Sequence, residues 1–194
     1  MSLMTAYALK EWAVTCDALA AGAQVVVLRK GGIGEKRFAL PHPEFFLFPT
    51  YAHQRPELVS SAAARTFADA LHRRDDPGHL PMPLVAQLVD ALAVRDPAAL
   101  DAVDDLHILT HDYAAERLKW RRTQPLWAAV LRVWRVDPVP VLEITEEHGG
   151  CVSWITLPEG FGEGTVRTPV MDDATFEVAR TRVTDALRPF AEVA

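Results

Sequence analysis

The chain has 194 residues, 49% of them hydrophobic, and a formal net charge of −6. A chain of this length suits one domain that buries roughly 70% of its unfolded surface without staples, and the acidic balance argues against a general nucleic-acid coat. No apolar run approaches the ~20 residues of a membrane span, no signal peptide is read at the N-terminus, and Cys16 and Cys151 make no disulfide framework, so a cytoplasmic protein with reduced thiols and no membrane partner is expected.

Residues 5–21 place Leu9, Trp12, Ala13, Cys16, Leu19 and Ala20 at helical spacing, with Gly22 as a stop, which predicts a helix. Gln24–Leu28 is a β-branched run and reads as a buried strand, broken by Arg29-Lys30-Gly31-Gly32. Residues 41–51 hold a short aromatic strand, kept short or at an edge by Pro41, Pro43 and Pro49. Pro56 suits the first turn of a helix whose face is Val59, Ala63, Phe67 and Leu71. Residues 75–83 read as a loop, Leu84–Val94 as a strand and Pro97–Leu106 as a short helix. Thr110 is placed to cap a helix over His111–Trp120.

Leu126–Val136 carries the strongest strand signal, apolar on both faces except at Arg132 and Arg135. Val139–Thr145 and Cys151–Leu157 follow as strands joined by a turn, and Gly160–Gly164 is a loop. Asp172 or Asp173 caps a last helix with core positions Phe176, Ala179, Val183 and Leu187, ended by Pro189. The expected fold is α+β: a mixed or antiparallel sheet of about five or six strands, open or curled into a partial barrel, with packed helices. One domain is expected over 1–194, with its main body at 4–165 and a C-terminal helix within 170–191.

The charge is uneven. Residues 115–135 hold six bases and one acid, whereas 137–165 hold six acids and no Lys or Arg, so a basic patch can sit on an acidic protein. Four segments bear on chemistry. Arg29-Lys30-Gly31-Gly32 at a strand end either presents cations and backbone N–H groups to an anion or is a hairpin turn with solvated charges; its spacing is not that of a P-loop. Thr50, His53 and Gln54 enter a loop before a helix, either as polar recognition groups or as partners of the turn's own backbone. Arg117, Lys119, Arg121 and Arg122 around Trp120 suit phosphate contact plus stacking, or a solvated helix end. Arg132, inside an apolar strand, needs a carboxylate partner or a polar cavity.

Cys151 reads as small and buried rather than nucleophilic, and the seven histidines form no metal signature, so no metal or cofactor is expected. The four lysines are preceded, two residues back, by Ala8, Leu28, Gly34 and Arg117; none is acidic, so the common metal-dependent nuclease core is missing.

Several segments appear together in a set order: Ala8–Trp12, Leu28-Arg29-Lys30-Gly31-Gly32-Ile33, Phe45–Thr50, His53-Gln54, Arg117-Leu118 with Trp120, Leu131-Arg132-Val133 and Gly149–Trp154. Over about residues 6–157 the chain thereby resembles the bacterial domain-of-unknown-function family 1802, departing from it at Leu109 and Trp134. Some members of that family are joined to a restriction-endonuclease catalytic domain, which implies a nucleic-acid or defence setting. More loosely, the helix, glycine and basic strand end of residues 8–30 resemble the PUA-like or ASCH barrels, which bind RNA or modified bases.

Three functions are weighed. The first is a module binding nucleic acid or a phosphate-bearing, nucleotide-like ligand, with Arg29, Lys30, Arg117 and Arg132 on phosphate, His53 and Gln54 giving polar recognition, and Trp154 or Trp120 stacking. The second is a hydrolase or phosphotransfer enzyme using His53 or His42 with Glu44. The third is a protein-interaction or scaffold domain in which the same residues are architecture.

Overall fold

The computed structural model describes residues 7–30, 44–51, 54–73, 78–120, 123–150 and 152–190. Tyr7–Trp12 form strand β1 and Ala13–Ala20 the short helix α1. The helix expected over 5–21 therefore begins only at Ala13. Ala8–Trp12 pair in parallel with Phe46–Thr50, and Tyr7–Leu9 pair antiparallel with Trp154–Thr156. Hydrogen bonds on both sides outweigh a helical spacing of apolar residues, because spacing is a weak prior against tertiary pairing. Gly22 ends the segment at φ 68°, a backbone setting that glycine adopts without steric penalty.

Strands β2 (Val26–Arg29) and β3 (Glu44–Thr50) follow. After the 3₁₀ turn Pro56–Leu58 come two helices, α2 (Ser61–Thr66) and α3 (Ala68–His72), where one had been expected. The face predicted for that helix does pack, with Val59 and Ala63 buried and Phe67 and Leu71 against them. Part of the expected 75–83 loop is strand: β4 spans His79–Pro81. Then come β5 (Leu84–Val94), α4 (Pro97–Asp101) and α5 (His111–Lys119). The C-terminal third supplies β6 (Leu126–Asp137), β7 (Val141–Glu143), β8 (Trp154–Thr156), β9 (Val166–Pro169) and α6 (Asp173–Leu187).

The class is α+β with a mixed sheet. Among the described residues, seven strands form the main sheet in the order β2-β6-β5-β3-β1-β8, with β9 also on β6, and β4-β7 form a separate ribbon. Of these pairings only β1 with β3 is parallel. The sheet exceeds the expected five or six strands because β9, a mostly exposed Val-Arg-Thr-Pro segment without a hydrophobic period, pairs with the end of β6. The strands at 141–143 and 154–156 are shorter than expected and are not partners of each other; β7 joins β4, and β8 joins β1.

β3 is an interior strand despite its proline. Its first half, Glu44–Phe46, pairs with β5, whereas among the described residues Leu47–Thr50 have only β1 as neighbour. Pro49 thus falls where one side of the strand is unpaired, the setting that tolerates a missing N–H.

β6 divides the core by its two-residue period. Leu126, Ala128 and Val130 pack with Leu100, Ala114, Phe176 and Val183 from α4, α5 and α6. Ala129, Leu131 and Val133 pack with Phe45, Leu47 and, from α1, Cys16 and Leu19. Among the described residues no helix is long and apolar enough to cross a membrane.

Thr110 caps α5 as its sequence suggests, its hydroxyl accepting from the Tyr113 N–H at 3.3 Å. Thr110→Ala is expected to lower stability by about 1 kcal/mol in urea denaturation. A change below ~0.3 kcal/mol would mean that the cap bond does not hold α5 in place.

Candidate functional site

Arg29, at the end of β2, lies against β1. Its Nη1 donates to the Lys10 carbonyl at 2.9 Å and to Glu11 Oε2 at 3.0 Å. Along the hydrogen-bonded order β1 lies four strands from β2, so the sheet curls to bring them together. The curl encloses a cavity of about 890 Å³ between β1, β2, the start of α1, α5 and the loop 148–153. That is the size range of small-molecule and cofactor sites.

The cations Arg29 and Lys30 at the end of β2 are occupied. Arg29 and Glu11 are both nearly buried, their side chains 15% and 13% exposed. The other Glu11 oxygen accepts from the Trp12 N–H at 2.9 Å, and Glu11 is the only carboxylate among the described residues lining the cavity. Lys30 is 5% exposed and donates to the carbonyls of Leu118 and Gln124, both at 2.7 Å. Burial, with a smaller push from Arg95, lowers its pKa. Lys10 donates to the carbonyls of His148, Gly149 and Gly150 at 2.6, 3.3 and 3.1 Å and lies 5.6 Å from the Phe48 ring centre. These groups tie β1, β2, α5 and the 148–150 loop into one wall.

Arg117 is different. Its Nε donates to the Tyr113 hydroxyl at 2.9 Å, and its guanidinium lies over the rings of Tyr113 and Trp120 at 5.1 and 5.9 Å. It has no carboxylate partner among the described residues. Trp120 is 45% exposed, and Trp12 packs on Tyr113 with ring centres 5.1 Å apart. Burial raises the Tyr113 pKa, opposed by the neighbouring Arg117. The wall therefore carries a stacked cation beside an exposed indole.

Of the residues singled out in the sequence, Arg29, Lys30, Thr50, Arg117 and Trp120 meet at this cavity. Thr50 does so while its hydroxyl donates to the Glu11 carbonyl at 3.2 Å. Gln54 is committed to backbone, accepting from the Val14 N–H at 3.1 Å and donating to the Ala70 carbonyl at 2.8 Å. Arg132 does not reach the cavity. It faces the start of α6, paired with Asp173 at 2.8 Å and with the Phe176 ring at 4.7 Å, which answers its need for a carboxylate. Trp154 also points elsewhere, edge-on to Phe45 at 5.1 Å, because it alternates with cavity-lining Ser153. Glu44 is held by Arg167 at 2.7 and 2.5 Å, on the end of β3 remote from Thr50. Its carboxylate is thus committed to an ion pair with Arg167. Gly31, Gly32, His42, His53, Arg121, Arg122 and Cys151 lie outside the described residues.

The lining also includes Lys10, Trp12, Thr15, Gln24, His107 and Tyr113, none of them among the candidate site residues read from sequence. Tyr113 had a legible signal, standing four residues before Arg117 on one helix face. Lys10 and Trp12 fall within the matched segment Ala8–Trp12, and Thr15, Gln24 and His107 come from separate segments with no shared local pattern.

By overall shape, the chain is similar to the crystal structure of a point variant of the ZmASCH protein from Zymomonas mobilis, at 14% identity, a TM-score of 0.42, and coverage of 78% of this chain and 89% of that one. A comparison with curated proteins finds no match. The model of the family described as a domain of unknown function (DUF1802) matches residues 8–182, nearly the whole chain, and the chain belongs to that family.

Proposed function

We propose that the chain is a binding module for a phosphate-bearing, nucleotide-like ligand, free or within single-stranded nucleic acid. The observation that carries this reading is Arg117: a guanidinium without a carboxylate partner among the described residues, stacked between Tyr113 and the exposed Trp120 beside a nucleotide-sized cavity. A planar cation suits phosphate oxygens, and an exposed indole stacks on a base regardless of its identity. An overall acidic protein with a local basic patch would bind such ligands selectively rather than coat them. With this reading goes a restriction or defence setting.

Fluorescence anisotropy with short labelled single- and double-stranded DNA and RNA tests it. Binding at low salt is expected, weakening linearly as log salt rises. Arg117→Met is expected to lower affinity about tenfold and to reduce the salt slope by about one phosphate contact. Absence of binding at low salt to every probe and to free nucleotides alike, or affinity unchanged in Arg117→Met, would refute the reading.

A further inference from the structure

Helical spacing sets Tyr113, Arg117 and Trp120 along one wall of the cavity, from α5 and its C-cap. The Tyr113 ring is half-buried and packs on Trp12 of β1, ring centres 5.1 Å apart, which fixes it in place. Arg117 Nε donates to the Tyr113 hydroxyl at 2.9 Å, so Nε is taken inside the protein. The remaining N–H donors of the guanidinium, and the phenolic O–H itself, meet no hydrogen-bond acceptor among the described residues.

A tyrosine hydroxyl both accepts and donates. Here its oxygen accepts from a cation, and its own hydrogen is left to give. Accepting a charged donor polarises the phenol and strengthens the bond it can donate in turn. Burial, the largest influence, and Glu11 hold the phenol protonated; Arg117 and Arg29 oppose them, and the net shift of its pKa is upward. The hydroxyl therefore keeps its hydrogen at neutral pH. A group of donors side by side suits a phosphate, whose oxygens only accept, whereas a nucleobase edge mixes donors with acceptors.

We propose that the Tyr113 hydroxyl donates to a phosphate oxygen of the ligand beside the Nη groups of Arg117, so that the cleft demands a phosphate and not only a base that stacks on Trp120. This deepens, and rests on, the reading of the cleft as a nucleotide site.

The test is calorimetric titration of the full chain with AMP, CMP, their parent nucleosides and inorganic phosphate at several salt concentrations. The parent is expected to bind the mononucleotides about tenfold or more above the nucleosides. Tyr113→Phe keeps the ring and removes only the hydroxyl. It is expected to melt near the parent, to weaken mononucleotides about tenfold and to leave nucleosides unchanged. Its salt slope should match the parent's, because no charge is lost, whereas Arg117→Met lowers the slope. A hydroxyl that merely positions Arg117 acts through Arg117 alone. Tyr113→Phe is therefore also made in the Arg117→Met background, where a further loss of about threefold to tenfold is expected. If mononucleotides bind and Tyr113→Phe binds as the parent does, or adds no loss to Arg117→Met, the hydroxyl does not touch the phosphate and this inference fails alone. If no nucleotide or oligonucleotide binds, or if nucleosides bind as tightly as mononucleotides, the functional reading itself fails.

Discussion

Arg29→Met is expected to destabilise the protein by about 3–5 kcal/mol, far more than its place at a strand end beside two glycines suggests. The physical reason is Glu11. Both side chains are nearly buried, and removing the guanidinium leaves a carboxylate without its counter-charge inside the fold. The Lys10 carbonyl loses its donor in the same step. Glu11→Gln alone should also be costly, because it strands the arginine. The double variant Arg29→Met with Glu11→Gln should recover much of the loss, since the glutamine oxygen can still accept from the Trp12 N–H. Urea denaturation of the four proteins, with m-values compared, measures the coupling directly. A single-variant change within ~0.5 kcal/mol would identify Arg29 as a solvated charge and return it to the list of ligand contacts. A ligand assay on Arg29 alone would not decide the matter, because the same residue holds the wall on which Arg117 sits.

That pairing changes the meaning of the Arg29-Lys30 pair. Arg29 and Lys30 were legible as cations at a strand end, and the two readings open for them were an anion site and a solvated turn. The structure gives both cations partners within the protein. Arg29 closes the curl of the sheet, and Lys30 ties α5 to β2 through two carbonyls. A sequence shows charge but not the burial and partners that decide how charge is used. Arg117 and Trp120 were legible for the opposite reason: helical spacing alone places them together, so no long-range information was needed.

The fold shows the same division. The bounds of β5 coincide with the expected Leu84–Val94, and β6 with Leu126–Val136 to within a residue, because long β-rich segments carry their own period. β1 was read as helix because Leu9, Trp12, Ala13 and Cys16 keep helical spacing across a strand–helix junction; only its pairing with β3 and β8 shows otherwise. That Thr15, Gln24 and His107 line one cavity was not legible for a related reason. Thr15, Gln24 and His107 come from α1, the approach to β2 and the approach to α5, and only the folded sheet brings them to one wall.

The loop at Gly160–Gly164 offers the second large effect, because two of its glycines share a backbone angle but not their surroundings. Gly162 and Gly164 have φ of 75° and 78°, both in the left-handed region. A Cβ on Gly162 would stand 2.6 Å from Phe46 Cζ, whereas one on Gly164 meets nothing within 4 Å. Gly164→Ala should therefore cost about 1 kcal/mol, the backbone penalty alone. Gly162→Ala adds a clash with a ring that is fully buried and pinned at the sheet centre between β1 and β5, for a total of about 2–4 kcal/mol. Phe46 cannot yield cheaply: its edge contact with Phe161, ring centres 5.2 Å apart, fixes it from the loop side as well. Its strand also carries Phe48 and Thr50 into the cleft, so a shifted β3 should weaken ligand binding in Gly162→Ala while Gly164→Ala binds as the parent does. Thermal melts and the anisotropy assay on both variants check the two halves together. Equal destabilisation would show that backbone strain dominates at both positions and that the Phe46 ring gives way without cost to the sheet.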